Sequence, residues 1–306
     1  MVRIGDTYEN DPARWGHSLA NLGELLIACL DAFEARSVAE VGAYAGDLTR
    51  VLLEWAAGSG ARVVAIDPTP HERLAELSGE RPELELIHET SHEALARIPL
   101  PDAVIIDGDH NYFTVSEELR RIGERAPGPE IPLLLLHDVG WPHGRRDAYW
   151  APERIPDDAR QPSERRLFIF PGEPGTVAAG MPMYSSATRE GGPKNGVLTA
   201  VEDFLAGREE LRLAILPPFF GLAVIWHPQA PRAGRIAELV APWDRHPVLE
   251  RLEANRVHHL ATAHARAQKL KRAREAVAAE REENARLRRA LEEREGELER
   301  LRERLP

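Results

Sequence analysis

Between residues 37 and 139 five short apolar runs recur: SVAEVG, ARVVAIDP, LELIHET, the DAVII that opens DAVIIDGDHNYF, and IPLLLLHDV. The segments between them, notably DLTRVLLEWAA, HERLAEL and VSEELRRIGERA, read as helices. Short apolar strands alternating with helices demand a parallel sheet covered on both faces. An earlier helix is marked by Leu22, Leu25, Leu26, Cys29, Leu30 and Phe33 at helical spacing. Regularity breaks after the fifth run. Residues 140–195 are rich in Gly, Pro and Arg and far longer than an ordinary strand-to-helix loop, which predicts a lid or a partly disordered insertion. A helical pattern returns in GVLTAVEDFLAG, and LRLAILPPFFGLAVIWHP reads as two strands joined through Pro-Phe-Phe-Gly, an antiparallel edge. The expected fold is α/β: a Rossmann-like, doubly wound sheet of about seven strands with the last one antiparallel.

Composition narrows the function. The 306 residues carry 50 acidic and 39 basic side chains, a formal charge of -11, which argues against broad nucleic-acid binding. No run approaches membrane-spanning length, and MVRIGDTYENDP lacks the apolar core of a secretion signal. Cys29 is the only cysteine and sits inside LGELLIACLDAF, so a core role in a reducing cytoplasm is expected.

The chain divides into residues 1–246, with 140–195 as a lid-like insertion, and a helical tail at 247–306. In the tail Leu270, Ala273, Val277, Glu280, Asn284, Leu287, Leu291, Arg294, Leu298, Leu301 and Leu305 follow alternating steps of three and four. That is a heptad seam with Asn284 at a and Leu287 at d, a pattern favouring a parallel two-stranded coil and hence a homodimer. A solvated single helix held by i,i+4 ion pairs, or a helix that binds a partner's helix, would share the pattern.

The first strand ends AEVGAYAGD, placing Glu40, Gly42 and Gly46 at a strand-to-helix turn. Glycines there let backbone approach a ligand at the carboxyl end of the sheet. Asp67 ends the second strand, where an acidic residue suits ribose hydroxyls. A dinucleotide site would have Gly where Tyr44 and Glu40 stand, so an NAD-dependent oxidoreductase is the weaker alternative.

VAEVGAYAGDLT, VVAIDP, VIIDGDHNY and LLLLHDV together resemble successive motifs of class I S-adenosylmethionine-dependent methyltransferases, most similarly the metal-dependent O-methyltransferases acting on sugars of macrolides and related natural products. The resemblance covers roughly residues 20–140, and LPPFFGLAVIW is similar to the family's closing hairpin. It implies that Gly42 and Ala43 border the methionine part of the cofactor with Glu40 near it, that Asp67 holds the ribose, and that Glu89, Thr90 and Ser91 lie near adenine. Asp47 departs from the Ser or Thr common after Gly46.

Asp107 ends the fourth strand and Asp138 the fifth, so their carboxylates can converge if the strands are neighbours. Hard oxygen ligands with open positions suit Mg²⁺ or Mn²⁺, which would position substrate hydroxyls and lower the pKa of the attacking one. The resemblance implies the same use of Asp107 and Asp138. His137 stands where relatives have a carboxylate; as a third ligand it favours a softer divalent ion. His110 is the first choice for general base, with Asp107 in that role if no metal sits there. Asp109 is left without a role.

The insertion begins directly after Asp138 and should overhang this site. Arg145 and Arg146 suit a bound carboxylate or phosphate, and Tyr149 and Trp150 a flat ring, although all four could equally pin the loop to the scaffold. EGGPKNG (190–196) precedes a helix whose N-terminus could attract an anion, or it is a hinge with Asn195 as a cap. The expected activity is methyl transfer to a hydroxyl of a sugar, a glycan precursor or a natural product. A non-catalytic methyltransferase-like module recruiting partners through its coil is the other alternative.

Overall fold

The computed structural model describes residues 17–302. The N-terminal stretch and Leu305 of the seam lie outside the described residues. Five strands, β1 (Ser37–Val41), β2 (Arg62–Ile66), β3 (Leu84–Ile87), β4 (Ala103–Ile106) and β5 (Leu133–His137), form the parallel part of the sheet. Two more, β8 (Arg212–Leu216) and β9 (Leu222–Trp226), complete it in the order β3-β2-β1-β4-β5-β9-β8. The last strand in the chain is reversed, as expected. It is not the edge, however. A hairpin carries the chain back from β8, so β9 slots antiparallel between β8 and β5.

Strand residues alternate between two apolar layers, as the two-residue period of a strand requires. Val38, Val63, Ile105 and Leu135 face one layer with Leu26 and Leu30 of α1 (Gly23–Ala32) and Leu52 and Leu53 of α2 (Asp47–Ser59). Ala39, Val104, Ile106 and Leu136 face the other, among Leu119 and Ile122 of α5 (Tyr112–Arg125) and Val201 and Phe204 of α6 (Val197–Leu205). The remaining covering helices are α3 (Glu72–Glu80), α4 (Ser91–Arg97) and α7 (Ala233–Val240). Cys29 lies wholly inside the first layer, where burial pushes its thiol up to about 12, so it stays protonated and packs. The sheet order reverses between β1 and β4, and that crevice is where a doubly wound fold places ligands.

The insertion is not irregular. It contains an antiparallel hairpin of β6 (Ser163–Ile169) and β7 (Met181–Ala187). Leu167, Ile169, Met181 and Met183 form a small core with Phe220, Val257 and Ala261, the last two on α8 (Pro247–Arg302). In β6 the sequence SERRLFI masks the strand period, because four exposed residues precede its buried Leu167 and Ile169.

Helix α8 is 56 residues, about 84 Å at 1.5 Å per residue. Its early turns pack on the domain and the hairpin. From Leu270 to Leu298 the seam side chains are exposed, Val277 at 47% and Leu291 at 61% among them. Asn284 donates to the Glu280 carbonyl of its own helix. Among the described residues no helix is long and apolar enough to cross a membrane.

Candidate active site

Gly42 leaves β1 with φ 86°, and a Cβ there would sit 2.2 Å from the Asp107 carbonyl oxygen. Only glycine lets the ends of β1 and β4 approach this closely. Asp67 then fixes the turn: its carboxylate accepts from the backbone N–H of Tyr44 (2.8 Å) and of Thr69 (2.8 Å). Ala43 is buried behind the turn, and Gly46, with φ 81°, caps α2. Glu40 is buried at 3% exposure and accepts from the Thr49 hydroxyl at 2.6 Å. Burial raises its pKa to about 8 despite that bond, so the group is mostly protonated at neutral pH.

The three residues after β3 are occupied locally. Glu89 forms a bidentate ion pair with Arg97. Thr90 and Glu93 form a capping box on α4, and the Ser91 hydroxyl donates to the buried Glu118. The turn and these residues rim one crevice, but the structure brings the Glu89 and Thr90 side chains into surface contacts of their own.

Asp107, His110, His137 and Asp138 meet in one cluster. Asp138 has φ 60°, a region that costs a non-glycine residue on the order of 1–2 kcal/mol, so the chain turns sharply as it leaves β5. The His137 Nδ1 lies 3.0 Å from Asp107 Oδ1 and 3.4 Å from Asp138 Oδ2. The His110 Nε2 lies 3.0 Å from Asp138 Oδ2 and 3.7 Å from Asp107 Oδ1. The far nitrogen of His137, Nε2, is 2.7 Å from the Phe219 carbonyl. A carbonyl can only accept, so Nε2 is protonated there, and Nδ1 is the atom turned to the carboxylates.

Electrostatics follow from this packing. Burial opposes charge on both imidazoles, yet Asp138 and Asp107 outweigh it, lifting His110 to about 9 and His137 well above its ordinary range. Burial likewise disfavours ionised Asp138, but His137 and His110 hold it far below the usual carboxylate range, and Asp107 is lowered in the same way.

Asp109 gains a role from the insertion: it accepts from the Trp150 backbone N–H at 3.0 Å. The Ala148 N–H donates to the His110 carbonyl, which ties the insertion along the loop after β4. Trp150 itself is 69% exposed beside this mouth. The other three expected substrate contacts are engaged elsewhere. Arg146 is fully buried and donates to the carbonyls of Ala187 and Pro174. The Tyr149 hydroxyl donates to Asp147 and accepts from the Gln161 N–H. Arg145 pairs with Glu202 on α6. These three hold the insertion together, because a docked loop needs donors for its own carbonyls and carboxylates.

Two residues, Asp147 and His143, gave no usable signal in the sequence. Asp147 accepts from the N–H of Tyr112 (2.8 Å) and of Gly196 (2.6 Å), so the anion at the start of α6 is the chain's own, and it serves α5 as well. Asn195 accepts from the Asp147 N–H and donates to the carbonyls of Arg189 and Gly191, pinning EGGPKNG instead of capping the helix. His143, five residues past Asp138, stacks on His110 with ring centroids 4.5 Å apart. Burial and the His110 charge push it down to about 3, so it stays neutral.

Among the described residues, two sets of side chains have donor atoms close enough for one cation: Asp107 with His137 and Asp138, and His110 with Asp138 and His143. The first set fits the expected divalent ion. It offers two ionised carboxylate oxygens and an imidazole nitrogen whose opposite N–H is held by a carbonyl, the arrangement usual behind a metal-bound histidine.

Residues 39–139 match a family described as a methyltransferase domain. No curated protein is matched by the sequence. Among solved structures, the chain is similar to the S-adenosylhomocysteine-bound methyltransferase PaMTH1 of Podospora anserina, at 16% identity and TM-score 0.45 over 73% of this chain and 85% of that one. It is also similar to a Klebsiella pneumoniae protein assigned as an O-methyltransferase, at 16% identity and TM-score 0.44 over 73% and 89%. A methyltransferase from Geobacter sulfurreducens shares 14% identity at TM-score 0.40 over 69% and 80%. At these scores the likeness is loose.

Proposed function

We propose that this chain, a class I methyltransferase through its domain at residues 39–139, transfers a methyl group from S-adenosylmethionine to a substrate hydroxyl, aided by a divalent cation. The observation that carries the reading is the convergence of Asp107, His137, Asp138 and His110 at the ends of β4 and β5, beside the Gly42–Gly46 turn.

S-adenosylmethionine supplies an electrophilic methyl on a sulfonium. The chain's work is to hold it and aim an oxygen at it. Backbone at Gly42 and Ala43 can lie against the methionine moiety, in a turn that Gly42 holds tight against the end of β4. Glu40, protonated, offers a donor as well as an acceptor. Asp67 uses one acceptance on each oxygen to hold the turn, and its remaining lone pairs suit ribose hydroxyls. Ser91 lies along the adenine side, while Glu89 and Thr90 shape its rim through their local contacts. Asp107, His137 and Asp138 would hold the cation, which supplies charge that orients a hydroxyl and eases its deprotonation. Two carboxylates with one imidazole suit Mn²⁺ at least as well as Mg²⁺.

His110 accepts the hydroxyl proton at an imidazole nitrogen. Without a cation its pKa of about 9 leaves it protonated at neutral pH, so it becomes a competent base only when positive charge shares its carboxylates. Trp150, exposed at the mouth, offers the flat surface for a sugar ring or a natural-product scaffold. The insertion is a wall docked along the loop after β4.

The test is transfer of labelled methyl from S-adenosylmethionine to a panel of polyhydroxylated acceptors, with and without chelator. Transfer that needs Mn²⁺ or Mg²⁺ supports the reading. Transfer of equal rate in chelator removes the cation from it, and absence of S-adenosylhomocysteine binding removes the reading itself.

The exposed seam of α8 is covered by a second copy in a parallel coil. In that register Glu283 faces Arg288 of the second copy and Glu297 faces Arg302, both attractive, with Asn284 against Asn284. Glu280 and Arg294 at d weaken it. Light scattering should give twice the chain mass, and Leu287→Arg should give the single mass.

A further inference from the structure

The turn joining β8 to β9, Pro217–Gly221, has an unusual backbone for its sequence. Phe219, Phe220 and Gly221 take φ of 54°, 69° and 85° in succession. Left-handed turns of this kind ordinarily recruit Asn, Asp or Gly, and two phenylalanines there are unfavourable unless something outside holds them. The holder is on α8. Glu253 accepts from the backbone N–H of Phe219 at 3.1 Å and of Phe220 at 2.8 Å, one on each carboxylate oxygen. Arg256, one turn on, grips the same carboxylate through two nitrogens at 2.7 Å. Its guanidinium also lies 4.3 Å from the Phe220 ring centroid and 5.5 Å from that of Phe219. One face of α8 thus clamps the turn by backbone and by side chain.

What the clamp holds matters more than the clamp. The Phe219 carbonyl is the acceptor for His137 Nε2–H, and the Phe220 carbonyl accepts from the Gly140 N–H, two residues past Asp138. A Cβ at Gly140 would sit 2.5 Å from that Phe220 oxygen, so the turn and the exit of β5 are in direct backbone contact. The turn therefore sets both the ring orientation of His137 and the path of the chain that carries Asp138.

We infer that Glu253, oriented by Arg256, is a positioning residue of the active site: it fixes the Phe219 carbonyl so that His137 presents Nδ1 to Asp107 and Asp138. The inference rests on the proposed cation-assisted reading. It gives the long C-terminal helix a part in the chemistry that its coil pattern does not suggest. The domain and its tail are then one functional unit, because the clamp lies on the helix that leads into the coil.

The experiment compares Mn²⁺ titrations of the full chain saturated with S-adenosylhomocysteine. Glu253→Gln keeps size but loses one acceptor, and it should weaken Mn²⁺ about tenfold to a hundredfold, the range seen when partners behind a ligand are altered. S-adenosylhomocysteine affinity should change less than about twofold, and Glu253→Asp should recover part of the loss. Gln268→Ala removes α8's bonds to Gly180 on the hairpin without touching the turn. It should leave Mn²⁺ affinity unchanged. Equal weakening by Glu253→Gln and Gln268→Ala, or none by Glu253→Gln, overturns the inference. If the wild type binds no Mn²⁺, the cation reading fails separately. The imidazole proton signals then decide the matter: the His137 Nε2–H must show its hydrogen bond to the Phe219 carbonyl in the wild type and lose or shift it in Glu253→Gln, and identical spectra overturn the inference.

Discussion

Asp138 and Glu40 are buried to nearly the same degree, 4% and 3% exposed, at the ends of strands in one sheet. Burial drives Glu40 up to about 8, and does the same to Glu118 on α5. Asp138 goes the other way, because two imidazoles stand within 3.4 Å of its oxygen. Glu40 accepts from the neutral Thr49 hydroxyl, and Glu118 from the neutral Ser91 hydroxyl. Depth alone does not make a reactive carboxylate. The cations packed against it keep it ionised, and ionised groups can hold a metal or share a proton.

That contrast can be broken experimentally. His110→Ala removes the proposed base and one cation from Asp138; methyl transfer should fall by about 10²–10⁴, measured as initial rate with Mn²⁺ saturating. Asp138→Ala strands two imidazoles and should cost about 3–5 kcal/mol in chemical denaturation, as loss of one member of a buried ion pair does. Glu118→Gln should act mainly on pH dependence. Its folded pKa of about 8 exceeds the unfolded value of 4.5, so the stability it contributes is complete below pH 4.5 and is lost as pH rises toward 8. Removing it should flatten that decline by on the order of a few kcal/mol, read from denaturation midpoints between pH 5 and 8. Asp138 has the opposite sign: its contribution is present above the ordinary carboxylate pKa of 3.8 and is lost as pH falls below it. The smallest effect belongs to Arg145→Ala, which breaks a half-exposed pair with Glu202 and should change stability by about 0–1 kcal/mol. Methyl transfer in that variant should be unchanged.

The sheet was legible from sequence because β4 and β5 are buried on both faces with continuous apolar runs, and β1 to β3 are short, mostly apolar runs set between helices. Asp107 and Asp138 were legible for the same reason, since each is the first polar residue past, or nearly past, such a run. The insertion was not. Hairpin strand β6 has four consecutive exposed residues before its buried Leu167 and Ile169, and its contacts to α8 span some 90 residues. Arg145, Arg146 and Tyr149 read as a binding surface because charge and aromaticity look alike whether they meet a substrate or a carbonyl. Which of these a side chain meets depends on the path of the loop. His143 and Asp147 fall in the same segment, and nothing in their spacing points to His110 or to two helix starts. The clamp on the β8–β9 turn was hidden for a related reason: Glu253 and Arg256 look like any exposed i,i+3 pair on a charged helix.

The most direct test of the cation-assisted reading is calorimetric titration of Mn²⁺ into the chain saturated with S-adenosylhomocysteine, for the wild type and for Asp138→Asn. Saturable binding near one ion per chain in the wild type, weakened at least about tenfold in Asp138→Asn, is the predicted result. Equal responses from the two proteins, or S-adenosylhomocysteine that does not bind while NADH does, would contradict it.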